Sequence, residues 1–119
     1  MEECVFCKIR DKQSLAPGAK QISATFFYES EGVMAFEDAK PAAQVHILII
    51  PKVHIPSFLE IEEKHQTIIS EMTRVAQSLI REKGVENKYR MSFNGGSLQH
   101  VQHLHWHLLG GDLKINYDY

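Results

Sequence analysis

The chain has 119 residues, 44% of them hydrophobic and 24% charged, and its formal net charge of −2 with a pI near 6.4 excludes a phosphate-backbone binder, so nucleic acid is not an expected partner. That length holds one core, so a single domain over residues 1–119 is expected. No apolar run approaches membrane-spanning length, Met1-Glu2-Glu3-Cys4 lacks the basic and apolar regions of an export signal, and only two cysteines are present; a cytoplasmic protein with no membrane partner and no structural disulfide is expected.

In chain order, residues 5–11 have room for one short helical turn, and Asp11 to Ile22, with Ser14, Pro17 and Gly18, reads as a loop. Thr25–Glu29 and Val33–Phe36 are strand-like, with Ser30-Glu31-Gly32 as a hairpin tip. Lys40-Pro41 marks a turn, and the β-branched run Val45–Ile50 is a strand stopped by Pro51. Ser57 and Glu60 have capping-box spacing for a short turn. From Ile61, apolar residues recur at Ile68, Ile69, Met72, Val75, Ala76, Leu79 and Ile80, the 3.6-residue period of a helix with one buried face. Glu60, Glu62 and Glu63 at its start and Arg81 and Lys83 at its end complement the macrodipole, and Gly84 supplies the stop. His65 reads as a surface or helix-packing residue. A strand over Tyr89–Phe93, a loop at Gly95-Gly96 and a last strand ended by Gly110-Gly111 complete an α+β order.

The last strand carries the chemistry. In His103-Leu104-His105-Trp106-His107-Leu108-Leu109, imidazoles alternate with large apolar side chains. Successive residues of a strand face opposite sides, so His103, His105 and His107 share one face, about 6.5–7 Å apart, and Leu104, Trp106 and Leu108 share the other. Spacing leaves three readings: hydrogen-bonded histidines on a sheet face, ligands of a catalytic zinc, or nucleophilic catalysis in which one neutral imidazole attacks while its neighbours bind anionic oxygens. Cys4-Val5-Phe6-Cys7 is the second chemical feature. A redox role for such a pair needs a preceding strand in a βαβ unit, which this N-terminus does not offer; a tetrahedral metal site needs two further ligands, which histidines can supply.

The segment Asn94 through Gly111 resembles the signature of the histidine triad (HIT) family, and Leu108-Leu109-Gly110-Gly111 resembles its Hint branch. Phe36-Glu37-Asp38, Val45 through His54, and Tyr89-Arg90 to Asn94 also fall in the family's order. The resemblance implies an antiparallel sheet of about five strands with one long helix and a short N-terminal helix. His105 resembles the nucleophile that attacks the α-phosphorus of a nucleotide, His107 the residue contacting phosphate oxygens and assisting the leaving group, and His46 a further active-site histidine. Asp38 matches the carboxylate that binds ribose hydroxyls, and Asn94 a residue positioning the phosphate. Phe6 and Phe36 would line an apolar slot for a purine. Without the resemblance, Phe36 reads as core, Asp38 as a turn cap and Asn94 as a turn residue.

Zinc-binding bacterial-type members hold a structural zinc with residues that correspond to Cys4, Cys7, His54 and His103. The resemblance also implies a homodimer and release of AMP from adenosine 5′-phosphoramidates; the alternatives are a dinucleoside polyphosphate hydrolase of Fhit type or a nucleotide-binding module without catalysis. Two departures bear on specificity. Leu98-Gln99-His100 stands where Hint members commonly carry Gly-Gln-Ser or Gly-Gln-Thr, so Gln99 and His100 take the place of a leaving-group contact. The tail Asp112 to Tyr119 lacks the frequent Trp-Pro-Pro ending.

Overall fold

The computed structural model describes residues 4–11 and 25–114; of the loop expected over Asp11–Ile22, Asp11 instead ends a helix and the rest, like the last five tail residues, 115–119, lies outside the described residues. Helix α1 (Val5–Asp11) is followed by β1 (Phe26–Glu29), β2 (Val33–Glu37) and β3 (Ala43–Pro51). After two 3₁₀ turns (Phe58–Glu60 and Glu63–His65) comes the long helix α2 (Gln66–Glu82), and β4 (Tyr89–Ser92) and β5 (Trp106–Leu113) close the chain. The five strands form one antiparallel sheet in the order β1-β2-β3-β5-β4, which is the α+β arrangement expected.

Period-2 alternation divides the sheet into two faces. Val33, Ala35, Ile47, Ile49 and Leu108 point to one side, where α2 lays down Met72, Val75, Ala76, Leu79 and Ile80 to make the main core. Met34, Phe36, Leu48 and Ile50 point to the other, where Phe6 from α1 closes a smaller apolar cluster. His46 lies on that second side, two residues from Leu48, and His107 pairs with Leu48 in the β3–β5 register. The smaller face therefore carries the imidazoles, and among the described residues the short α1 covers it in part.

Local chemistry accounts for the turns. The Ser30 hydroxyl accepts from the Gly32 and Val33 amides, closing the β1–β2 hairpin. Ser57 caps its turn by accepting from the Leu59 amide, as the capping-box spacing anticipates. At the end of α2, the Gly84 amide bonds the Arg81 carbonyl and the Val85 amide bonds the Ile80 carbonyl, with Gly84 at φ 68°; this is a Schellman stop.

Three expectations need correction. The long helix starts at Gln66 rather than Ile61, because Glu62–His65 is spent on a 3₁₀ turn with a reciprocal cap: the Glu62 amide donates to His65 Nδ1, and the Glu62 side chain accepts from the His65 backbone. The final strand starts at Trp106, not His103. The opposing β3 ends at Pro51, whose nitrogen has no hydrogen to give a ladder; His103 instead donates Nε2–H to the Pro51 carbonyl at 2.8 Å, and the Leu104 amide turns to the Ile55 carbonyl at 2.7 Å. Gly110-Gly111 does not end the strand either. Ala43 pairs with Leu113 but Val45 with Gly110, so β5 holds one extra residue there, a bulge with Gly111 at φ 77°. The apolar side of the alternation survives these changes: Leu104 and Leu108 enter the main core and Trp106 packs against it.

Candidate active site and metal centre

A pocket of about 900 Å³ opens on the smaller face of the sheet, lined among others by Phe6, Phe36, Asp38, His46, His100, His105 and His107. Phe6 stands edge-on to Phe36, with centroids 5.8 Å apart, and edge-on to His105 at 5.1 Å. Apolar side chains thus form one end and imidazoles the other.

Main-chain groups set the hydrogen positions of the imidazoles. His105 donates from Nδ1 to the His103 carbonyl at 2.7 Å, which leaves its Nε2 as the lone-pair nitrogen. The Ala42 amide donates to His46 Nδ1 at 3.0 Å, so the hydrogen of neutral His46 sits on Nε2, which lies 3.0 Å from His107 Nδ1. His107 then accepts at Nδ1 and keeps its own hydrogen on Nε2. Asp38 Oδ2 stands 3.5 Å from His46 Nε2 and its Oδ1 accepts from the Lys40 amide, so the carboxylate both caps the turn and faces the site. Burial holds His46 and His105 below the ordinary imidazole range, and burial together with its imidazole neighbours brings His107 down to about 4. At neutral pH these rings are uncharged, the state in which a nitrogen can attack.

Beside the pocket, Cys4, Cys7, His54 and His103 present one donor each, all within 4.8 Å of one another. Nδ1 of His103 lies 3.3 Å from Cys4 Sγ and 3.6 Å from Cys7 Sγ; Nδ1 of His54 lies 3.3 Å from Cys7 Sγ and 3.1 Å from Nδ1 of His103. In a tetrahedral site with Zn–S about 2.3 Å and Zn–N about 2.05 Å, nitrogen and sulfur donors stand about 3.5 Å apart and two nitrogens about 3.3 Å apart. The four donors fit such an ion. His103, wholly buried, has its Nε2–H committed to Pro51, which turns the Nδ1 lone pair toward the centre in the manner of a metal-bound histidine. Without a cation, burial and the adjacent Cys4 push the Cys7 thiol up to about 11, and burial brings His103 down to about 4.

Of the sequence-derived candidates, Phe6, Phe36, Asp38, His46, His100, His105 and His107 converge on the pocket, and the four Cys/His donors converge beside it. Gln99 is buried with its amide Nε2 committed to the Pro56 and Val101 carbonyls, at 2.7 and 2.9 Å, and it does not line the pocket. Asn94 is half-buried in the segment after β4 and is also outside the lining. The sequence reading omitted Ile9 and Val101, which line the pocket with Phe6. Ile9 was recoverable, since it lies three residues from Phe6 on one face of a helix. The Ala42 amide and the Pro51 and His103 carbonyls carry no side-chain signature.

This fold and imidazole cluster define a histidine-triad domain. The model of the scavenger mRNA decapping enzyme C-terminal binding family matches residues 3–118. A 14 kDa zinc-binding protein of Zea mays is 43% identical over 96 residues, covering 77% of this chain and 75% of that protein. A purine nucleoside phosphoramidase of Escherichia coli is 36% identical over 115 residues, covering 92% of this chain and 88% of the enzyme. Among solved structures, a HIT family hydrolase from Clostridium thermocellum superposes with a TM-score of 0.82 at 38% identity, covering all of this chain and 96% of the other. The chain belongs to the histidine triad family.

Proposed function

We propose that the protein is a hydrolase that cleaves adenosine 5′-phosphoramidates at the α-phosphorus through a nucleotidyl-histidine intermediate, releasing AMP. The observation that carries this reading is the bond from His105 Nδ1–H to the His103 carbonyl, which leaves Nε2 of a buried, neutral ring as the attacking nitrogen in the pocket. The resemblance to the Escherichia coli purine nucleoside phosphoramidase supports the substrate class.

The purine sits against the apolar wall that Phe6 and Phe36 form, and Asp38 accepts hydrogen bonds from ribose hydroxyls. Nε2 of His105 attacks phosphorus, the P–N bond breaks, and the amine leaves with a proton drawn from solvent at the His107 end of the pocket. His107, with its hydrogen on Nε2, donates to the phosphoryl oxygens, and His46 holds that orientation through His107 Nδ1. Water then attacks the nucleotidyl phosphorus, loses its proton to solvent, and returns His105 to its neutral form. Gln99 serves by holding the turn that carries His100, which faces the leaving-group side. A role for Asn94 at the phosphate is supported by the sequence resemblance alone.

Cys4, Cys7, His54 and His103 would hold a structural zinc, a reading supported by their donor geometry and by the zinc-binding relative. When bound, the ion supplies a cross-link between α1, the loop after β3 and the segment entering β5. A homodimer belongs to the same proposal: β4 is an edge of the sheet, and Tyr89 and Phe93 are exposed beside it. Among the described residues no helix is long and apolar enough to cross a membrane, which accords with a cytoplasmic site of action.

Product analysis tests the reading. Purified protein incubated with adenosine 5′-phosphoramidate should release AMP faster than it releases AMP from a diadenosine polyphosphate; the reverse order would point to the polyphosphate hydrolase, and AMP release from neither would point to a binding module.

A further inference from the structure

We infer that the metal held by Cys4, Cys7, His54 and His103 and the nucleotide in the adjoining pocket are linked ligands, each tightening the other through Phe6 and the main chain of His103. The inference rests on the nucleotide reading of the pocket given above.

Helix α1 has seven residues, too few to persist without tertiary anchors. Tertiary contacts supply those anchors. Cys4 and Cys7 bring their sulfurs to the two histidines, Arg10 Nη1 donates to the Lys52 carbonyl at 2.8 Å, and Phe6 is buried. Phe6 lies in sequence between the two thiols, and its ring stands edge-on to His103 at 5.8 Å, to His105 at 5.1 Å and to Phe36 at 5.8 Å. One ring is thus a wall of the pocket, a packing partner of the nucleophile and a rider on the metal-binding turn.

The second connection runs through a single residue. His103 offers Nδ1 to the donor cluster, donates Nε2–H to the Pro51 carbonyl, and uses its own carbonyl to hold His105 Nδ1–H. A cation at Nδ1, with the Pro51 carbonyl at Nε2–H, would fix that ring at both nitrogens and with it the peptide that orients the nucleophile. Without the cation, a hydrogen bond from His54 Nδ1–H to His103 Nδ1, 3.1 Å away, links the two rings but leaves the thiols without a common ligand, and the turn carrying Phe6 loses its cross-link. A purine entering the slot must then re-seat Phe6 against Phe36. With the metal in place that ordering is already done, so the nucleotide binds more tightly, and reciprocity requires the nucleotide to raise metal affinity by the same factor.

Calorimetric titration with AMP of the zinc-loaded protein and of the reduced, metal-stripped protein reads the coupling directly. AMP should bind at least about five-fold more weakly without metal, and zinc affinity, measured by competition with a chromophoric chelator, should rise by the same factor in saturating AMP. Equal AMP affinity in folded stripped and loaded protein would overturn the inference. Should stripping unfold the chain, F6L decides, because it keeps all four metal donors: the AMP effect on zinc affinity should shrink toward unity, and its persistence at the wild-type size would overturn the coupling through Phe6. Failure of zinc-loaded wild type to bind AMP would instead defeat the nucleotide reading itself, and the inference with it.

Discussion

His105 donates its Nδ1 hydrogen to the main-chain carbonyl of His103 at 2.7 Å, so one histidine of the triad fixes the tautomer of the next. The same His103 belongs to the metal-donor cluster. The proposed function divides the row of three imidazoles by role: His103 as a structural ligand, His105 as a nucleophile oriented by that ligand's backbone, and His107 as a phosphate contact oriented by His46.

Replacement of the nucleophile should separate chemistry from binding. In His105→Asn, the amide can keep the bond to the His103 carbonyl and preserve the shape of the pocket, but it carries no attacking lone pair. AMP affinity should change only a few-fold while turnover falls by about 10³-fold or more. Turnover within ten-fold of wild type would exclude His105 as the attacking group.

Acid should spare the chemistry longer than an exposed histidine would allow. Burial holds His105 below its ordinary range and brings His107 to about 4. The acid limb of the kcat/KM profile should therefore lie below the usual imidazole pKa of about 6.5. Stability shows the matching effect: a buried histidine with a depressed pKa favours the fold above the unfolded-state value, and this contribution is lost as pH falls from about 6.5 toward about 4, because the unfolded chain takes the proton first. His107→Asn should flatten that part of a stability–pH curve; an unchanged slope would show that His107 is not the group responsible.

Metal removal should act first on the fold. Elemental analysis of reduced, carefully purified protein should find about one zinc per chain, and chelation or Cys7→Ser should lower Tm by about 10 °C or more, with a smaller effect on turnover per folded molecule. Protein free of zinc with an unchanged Tm would contradict the assignment of the four donors.

The glycine pair of β5 offers a test of packing. A Cβ on Gly110 would lie 2.7 Å from Val85 Cγ2 and 2.9 Å from both Cβ and Cγ1 of the same side chain, in a strand paired on both sides. Gly110→Ala should cost about 1–3 kcal/mol in denaturant unfolding, and Val85→Ala in the same chain should recover part of that loss. Gly111→Ala meets a different obstacle, since its φ of 77° disfavours any side chain and the added carbon would run into Gln44, so Val85→Ala should not rescue it.

Side-chain pattern made the elements legible. Alternation in the last strand predicted which of Leu104, Trp106 and Leu108 enter the core, and the 3.6-residue period predicted the buried face of α2. Pattern was silent where backbone groups decide the outcome. The start of β5 depends on a proline in the opposing strand, and the start of α2 on a cap in which Glu62 and His65 satisfy each other; neither changes the apolar period that the eye follows. The site divides the same way. Spacing singles out His103, His105, His107 and the Cys4/Cys7 pair, and the resemblance adds His46 and His54, but the Ala42 amide and the carbonyls of Pro51 and His103, which bond the imidazole nitrogens, are common to every residue type. Gln99 is a nucleotide-contact candidate from its place beside the triad; in the structure its Nε2 is committed to the Pro56 and Val101 carbonyls and it does not line the pocket.

The covalent step is the centre of this account, and trapping it is the most direct test. Protein mixed with adenosine 5′-phosphoramidate and quenched within one turnover should yield, by peptide mass spectrometry, a nucleotidylated fragment whose modified residue is His105, absent from His105→Asn. AMP release at an undiminished rate with no adduct on His105 at any quench time, in conditions that preserve a phosphoramidate bond, would contradict it.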